Sequence, residues 1–370
     1  VRIAHVADFA LPRLGGIEVH VATCAEHQRA RGHDVEIITA LAGNGSGLAR
    51  SRPSVIRSVA DAVRAGGFDV VHVHAGVFTP IAFGAAAAAS RAGIPTVVTE
   101  HSLLSNAHAP MRALDAAIGW TRYPIAWTAV SEPAAAPLRR ILGDDAEVAV
   151  LPNAIDAADW WTEPVRRVPG DEIVIVGVGR FTGRKRPLPL VRALSRVRSA
   201  VGPEVRLSAV LVGDGPKRPS VERHVRRRNL HDWVHFTGRL GHDDIRELHQ
   251  RADIFVAPCR LESFGIAALE ARAAGVPVVG MGDSGVSTFI EHGRDGLLAA
   301  DDDELVAAIT ALVTDHELRD RITAHNRSNP PPFGWSDQMD RTEHEYARAA
   351  AVQQGRRRRA DPLGDVVSSP

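Results

Sequence analysis

The sequence predicts an α/β protein made of two doubly wound parallel-sheet domains facing across a cleft. Three observations carry that expectation. Short apolar segments of strand length alternate with amphipathic helical segments along most of the chain. The alternation is interrupted once, near residue 157, and then resumes. A chain of 370 residues also exceeds what one hydrophobic core organises, so two domains are expected.

Taken in order, "RIAHVA", "DVEIIT", "DVVHVH", "PTVVTE", "IAWTAV" and "AEVAVLP" read as strands. Helical patterns lie between them, for example Val19 to Arg31 and Pro53 to Ala65. Residues 1–156 form the first predicted domain. The stretch "AIDAADWWTEPVRRVPGD" is dense in Pro, Trp and charge, and residues 157–170 read as a linker. A second series follows in residues 171–330: "EIVIVGVGR", "RLSAVLVG", "WVHFTG", "DIFVAP", "VPVVGM" and "GLLAA". A last helix, about Trp335 to Ala350, falls within residues 331–352. The Arg-rich remainder, 353–370, is expected to be a disordered tail.

Composition removes several classes. The chain is 45% hydrophobic and 24% charged, which is ordinary for a soluble globular protein. Its 44 basic and 44 acidic residues cancel, so general nucleic-acid binding is not expected. Cys24 and Cys259 are the only cysteines; two such distant thiols make neither a disulfide framework nor a zinc site. No apolar run reaches the roughly 18 residues of a membrane span. The opening "VRIAHVADFALP" reads as a strand and a turn rather than a leader, so a cytoplasmic protein is expected.

Open parallel sheets bind ligands beyond the carboxyl ends of their strands, so the turns there matter most. In "FALPRLGGIEVHV", Gly15 and Gly16 precede a helix. They would let the backbone approach an anion, or simply make a tight turn. In "VGVGRFTGRKRP", Arg180 and Lys185 follow a buried strand, where a planar fork and a point charge clamp a diphosphate. The same stretch lacks the third glycine of a dinucleotide fingerprint, which disfavours an NAD site. Arg184 and Arg186 read as surface charge. In "VTEHSLLSN", His101 follows the fourth strand directly and would meet a phosphate or a sugar hydroxyl, or serve as a structural histidine. His72 and His74 alternate on a strand and either line the cleft or pack. No metal-ligating motif is present, and no metal or cofactor is expected.

The fourth turn is "CRLESFGIAALEARAAGVPVVG". Ser263, Phe264 and Gly265 bring backbone amides to the start of a helix running from about Ile266 to Ala274, a place suited to phosphate. Glu262 precedes that helix, where the dipole alone would favour it. Glu270 lies within it among small apolar residues, so a solvent-facing position fits poorly. Eight residues of helix rise about 12 Å. That is longer than the roughly 5 to 9.5 Å carboxyl pair of a glycoside hydrolase. It suits two ends of one extended ligand.

These four turns, in this order, resemble the retaining glycosyltransferases of the GT-B fold, glycosyltransferase family four. The segments "LPNAID", "GRFTGRK", "LVGDGP", "VHFTGRL" and "ESFGIAALEARAAGVPVVG" all match the family's running pattern. The resemblance covers nearly the whole chain. It implies a nucleotide-sugar donor with Gly16 under the diphosphate and Arg180 and Lys185 on its phosphates. It further implies His101 at the transferred sugar, Glu262 on sugar hydroxyls and the amides of Phe264, Gly265 and Ile266 nearby. Glu270 would hold the ribose, and the backbone around Gly238 and Arg239 would read the base. The last helix would cross back onto the N-terminal domain.

By the same resemblance the reaction retains anomeric configuration. It needs no metal and runs by front-face displacement, in which the leaving phosphate takes the acceptor proton. The donor is expected to be a UDP-sugar, with GDP-mannose as the other option. The acceptor is a hydroxyl of a small molecule or of a lipid head group. "TEHSLL" resembles members that glycosylate phosphatidylinositol, and residues 103–124 would border the acceptor. Arg112, Arg122, Arg139 and Arg140 would then suit an anionic membrane surface, or be ordinary surface arginines. Two other classes stay open, a sugar-nucleotide epimerase of the same architecture and a non-catalytic sugar-nucleotide binder.

Overall fold

A computed structural model describes residues 1–8, 16–39, 53–77, 79–104, 108–143, 146–161, 163 and 172–360. The chain divides into two compact units, Val1–Ala154 with the segment from Trp335 onward, and Ile155–Gly334.

The first unit holds a six-stranded parallel sheet. Its strands are β1 (Arg2–Ala7), β2 (Asp34–Thr39), β3 (Val70–Ala75), β4 (Thr96–Glu100), β5 (Ala126–Ala129) and β6 (Val148–Val150). The order is β2-β1-β3-β4-β5-β6, so the direction of winding reverses between β1 and β3. All six residues of β3 are buried, as expected for a central strand covered on both faces. The helix Pro80–Arg91 opens on a proline, which suits the first helical position. Its alanines Ala82, Ala85, Ala86 and Ala89 are buried, and their small size lets the helix lie close to the sheet.

The second unit repeats the plan with β7 (Ile173–Val178), β8 (Leu207–Val212), β9 (Val234–Gly238), β10 (Ile254–Ala257), β11 (Val278–Met281) and β12 (Gly296–Ala299). The order β12-β11-β10-β7-β8-β9 reverses between β7 and β10. All the pairings are parallel. One core of Ile, Leu and Val side chains, among them Ile175, Leu194, Leu211 and Ile309, runs through the unit.

Two expectations about the connections are corrected. The segment read as a linker begins as part of the second unit. Trp160, in the short helix Ala157–Trp160, is buried against His242 and His249, with ring centroids 4.3 and 5.9 Å apart. The Ile155 amide donates to Phe333 O at 2.9 Å. A large aromatic ring gains more from burial than a spacer gains from freedom. The last helix also does not end at residue 352; it runs from Trp335 to Ala360. Gln353, expected in the tail, is buried, and its Nε2 donates to Ser90 O. Residues 361–370 of the expected tail lie outside the described residues.

That last helix is fastened to the first unit along its length. Arg31 donates to Asp340 at 2.6 Å, to Glu343 at 3.0 Å and to Ser336 O at 3.0 Å. Trp335 stacks on His27 with centroids 4.8 Å apart. Ala349 packs into the cluster of Val97 and Ala126, and Arg348 donates to Trp127 O at 2.8 Å.

Candidate active site

In the second unit the reversal of strand order lies between β7 and β10, the place where doubly wound sheets open a crevice for ligands. The loops that follow these two strands, with the helix Ile266–Ala273 that continues the second, carry most of the expected site residues. They also interlock. Arg184 donates from Nε and Nη2 to Leu261 O at 3.1 and 2.8 Å. Arg186 donates to Pro258 O at 3.0 Å and grips Asp302 with two bonds of 2.7 and 2.8 Å. The buried thiol of Cys259 donates to Arg184 O at 3.1 Å, and burial pushes its pKa up to about 11. Arg184 and Arg186, expected to be surface charge, are therefore the ties that hold one loop to the other. A Gly-rich third loop joins them: the Phe181 amide donates to Asp214 O at 2.8 Å, and the Lys217 amide to Phe181 O at 2.9 Å.

At the centre of this arrangement Lys185 Nζ lies 2.5 Å from Glu262 Oε2, in a partly buried ion pair. Glu262 is positioned from both sides by glycines. Its carbonyl accepts the Gly285 amide at 2.7 Å. A Cβ on Gly285 would lie 2.1 Å from Ser263 O, so only glycine allows this approach. Gly265 adopts φ 98°, and a Cβ there would lie 2.9 Å from Val286 and 3.4 Å from Glu262. No sequence signal distinguished Gly285 from other turn glycines.

Arg180 is exposed at the end of β7, and its guanidinium has no ion-pair partner among the described residues. Phe264 is 1% exposed and packs its ring on Phe289 and Phe333 at 5.4 and 5.7 Å, so only its backbone is available to a ligand. The amides of Phe264, Gly265 and Ile266 open the helix Ile266–Ala273 and have no acceptor among the described residues, as first-turn amides do. Ser263 is half-buried beside them. Glu270 is on the same helix, mostly covered, and burial pushes its carboxyl up to about 7. Gly238 ends β9 with φ 78° and its carbonyl accepts the Gly213 amide at 2.7 Å; Arg239 is exposed next to it.

Three of the expected residues, Gly15, Gly16 and His101, fall within the first unit's span. Gly16 is the first residue of the helix Gly16–Ala30, and Gly15 lies outside the described residues. His101 follows β4, 7% exposed, its amide donating to Ala75 O at 2.9 Å. Its ring belongs to a polar ladder that the sequence did not reveal. His5, His72, His74, Thr99 and Thr128 come from four neighbouring strands, and pairing sets His5 beside His72, His74 beside Thr99 and Thr99 beside Thr128. His101 Nε2 is 3.0 Å from His74 Nδ1, and His74 Nε2 is 2.8 Å from His5 Nδ1. Burial holds His5 and His20 down at about 4, and His72, His74 and His101 well below their ordinary value. All are uncharged at neutral pH. His72 and His74 thus pack in the unit's interior, beneath the last helix.

Of the arginines considered for a membrane face, Arg139 is tied to Glu132 and to Val148 O, the latter at 2.9 Å. Among the described residues no helix is long and apolar enough to cross a membrane.

Comparison with known proteins adds to this geometry. Residues 162–329 match the family model of glycosyl transferases group 1, and residues 14–159 that of Glycosyltransferase Family 4. A phosphatidylinositol N-acetylglucosaminyltransferase subunit of Arabidopsis thaliana is 28% identical over 94% of this chain and 82% of its own length. D-inositol 3-phosphate glycosyltransferase of Stackebrandtia nassauensis is 31% identical over 74% of this chain and 67% of its own. Among solved structures, Anabaena HepE in complex with UDP and glucose superposes with a TM-score of 0.74 at 20% identity, covering 94% of this chain and 99% of that one. Two doubly wound parallel sheets and this superposition define the GT-B fold, and the family models with the inositol relative define a glycosyltransferase. The chain belongs to glycosyltransferase family 4.

Proposed function

We propose that the chain is a retaining hexosyltransferase. It moves a hexose from a nucleoside-diphosphate donor, a UDP-sugar ahead of GDP-mannose, to a hydroxyl of an inositol-type acceptor, and it needs no metal ion. The observation that carries this reading is the Lys185–Glu262 pair at the strand-order reversal. An ammonium has three N–H donors. With one on Glu262, two stay available for phosphate oxygens, while the second carboxylate oxygen is available to a sugar hydroxyl. Arg180 adds a planar fork to the same diphosphate.

Departure of the nucleoside diphosphate leaves positive charge on the sugar and negative charge on the phosphate. Cations held in place before the reaction stabilise that separation without having to reorganise. No side chain of the second unit's site is offered as a nucleophile; the leaving phosphate oxygen takes the acceptor's proton on the same face. Glu270, when ionised, accepts the two ribose hydroxyls, its carboxyl having no hydrogen-bond donor among the described residues. The inositol acceptor is supported by the names of the two curated relatives, one of which carries its inositol in a lipid.

A thermal-shift series with UDP, GDP and their hexose derivatives tests the donor. Stabilisation by a uridine compound, lost in both Lys185→Ala and Glu262→Ala, is the expected result. Transfer should keep the anomeric configuration by NMR and continue in EDTA. An activity abolished by the chelator and restored by magnesium overturns the metal-free mechanism. Release of an epimer without acceptor overturns the transferase reading.

A further inference from the structure

We propose that a single hydrogen-bond chain through the first unit holds His101 as the tautomer protonated on Nε2, leaving Nδ1 as a bare acceptor for a hydroxyl of the bound sugar. The contact to sugar rests on the proposed function; the tautomer does not.

The direction of the chain follows from its far end. Val98 O, a carbonyl, only accepts, so the Thr128 hydroxyl 3.3 Å away must donate to it. Thr128 Oγ1 then has no proton for Thr99, and Thr99 Oγ1 donates to it at 2.6 Å. The Thr99 proton being used, His72 Nε2 must carry the hydrogen of the 2.7 Å bond to Thr99. A neutral His72 is then bare at Nδ1 and accepts the Tyr346 hydroxyl at 3.1 Å. That phenol has one proton, so its oxygen accepts from Gln28 Nε2 at 2.8 Å. This turns the Gln28 oxygen toward His5, whose Nε2–H donates to it at 2.7 Å.

The protons continue outward in the same sense. His5 Nδ1 is bare and accepts from His74 Nε2–H at 2.8 Å. His74 Nδ1 is bare and accepts from His101 Nε2–H at 3.0 Å. Each link then has one donor and one acceptor; the reversed order would leave Val98 O without the Thr128 proton and a His101 Nδ1–H without an acceptor among the described residues. Burial keeps every ring neutral and the Tyr346 phenol protonated, so no extra proton enters the chain at neutral pH. His101 Nδ1 has no partner among the described residues.

The consequence is chemical. A ring with a bare Nδ1 accepts a hydroxyl proton and repels a phosphate oxygen. His101 is therefore fitted to a sugar hydroxyl and not to a diphosphate. His74, His5, Gln28 and Tyr346 act through it as positioning residues. The donor atoms of His5, His72 and His74 are also within 4.8 Å of one another, close enough for a metal ion. All six of their nitrogens already have hydrogen-bond partners, so the chain offers no free lone pair to an ion.

Long-range proton–nitrogen NMR of the full chain with 15N-labelled histidine reads the tautomers directly at pH 7.5. His5, His72, His74 and His101 are all expected as the Nε2–H form. An Nδ1–H or doubly protonated His101 overturns the proposal, and so does stoichiometric uptake of zinc with loss of these signals. Tyr346→Phe frees the Gln28 amide to turn over; a mixed His101 tautomer and a threefold to tenfold fall in turnover are expected, about the size of one weakened hydrogen bond. An unchanged pure Nε2–H signal in that variant overturns the continuous chain. Addition of UDP-glucose should move the His101 Nδ1 resonance. Binding that leaves it unmoved removes the contact to sugar while the tautomer stands, so the two failures are distinguishable.

Discussion

The carboxyl of Glu270 is pushed up to about 7 by burial. In an unfolded chain it would ionise near the ordinary value of 4.5. Between those two values the folded protein holds a proton that the unfolded chain has lost, so this group's contribution to stability is full below about 4.5 and is lost as pH rises through 7. Glu270→Gln should therefore be the more stable protein at pH 8, with a flatter urea midpoint between pH 5 and 8 than the parent. An identical pH slope in both proteins would remove burial as the cause. Gly265, with φ 98° and Val286 2.9 Å from a would-be Cβ, predicts that Gly265→Ala loses about 1 to 3 kcal/mol, measurable by denaturant titration. Arg186→Ala removes the two bonds to Asp302 and the one to Pro258 O. The donor KM is expected to rise several-fold with little change in far-UV CD, because the loops lose their tie while the sheet stays intact. Glu262 and Glu270 stand out in the sequence as candidates because acids are conspicuous in apolar surroundings, and Lys185 because it follows a buried strand. Arg186 does not, since nothing local separates an arginine that ties two loops from one that is merely solvated.

At the scale of the element, β3 shows what alternation alone conveys. "VVHVHA" reads as a strand with two histidines on one face, and that much is correct. The residues that surround those rings come from β1, β4, the helix Gly16–Ala30 and the helix Trp335–Ala360. The result is a sheet face whose centre is neutral histidine. His5 and His20, lowered from 6.5 to about 4, stay uncharged where an unfolded chain takes up protons. Their contribution is full above about 6.5 and is lost as pH falls toward 4. Each such proton costs up to about 1.4 kcal/mol per pH unit across that window. The unfolding free energy of the first unit should drop steeply from pH 6.5 to 4.5, followed by Trp120 and Trp127 fluorescence in urea. A pH-independent midpoint over that interval would mean the rings are already charged in the fold.

For the whole molecule, the last helix belongs to the first unit although 180 residues of the second unit, Ile155–Gly334, separate it from the rest of that unit. It supplies Tyr346 to the histidine ladder and Trp335 to the stack on His27. Truncation after Gly334 should therefore leave the first unit unable to unfold cooperatively, while the second unit keeps its own transition, two events that calorimetry separates. Retention of both transitions would make the helix an accessory. The twelve strands among the described residues were readable because each is a short apolar run between helical segments, and parallel strands need no distant partner to be recognised as such. The end of the last helix was not readable. Its Arg-rich continuation has the composition of a tail, and its helical state depends on contacts such as that of Gln353 with Ser90.

What the amino-acid order settles here is everything that rests on local period and spacing: the α/β class, the two repeats of strand and helix, and the ordered turns around Lys185 and Glu262. What only folding settles is which polar groups meet. Gln28 and Tyr346 stand 318 positions apart and bond at 2.8 Å. Arg186 and Asp302 stand 116 apart and bond twice. Periodicity is written in a handful of neighbouring residues. A buried hydrogen bond instead needs two groups whose encounter depends on every turn between them, and its proton is placed by the whole chain of partners.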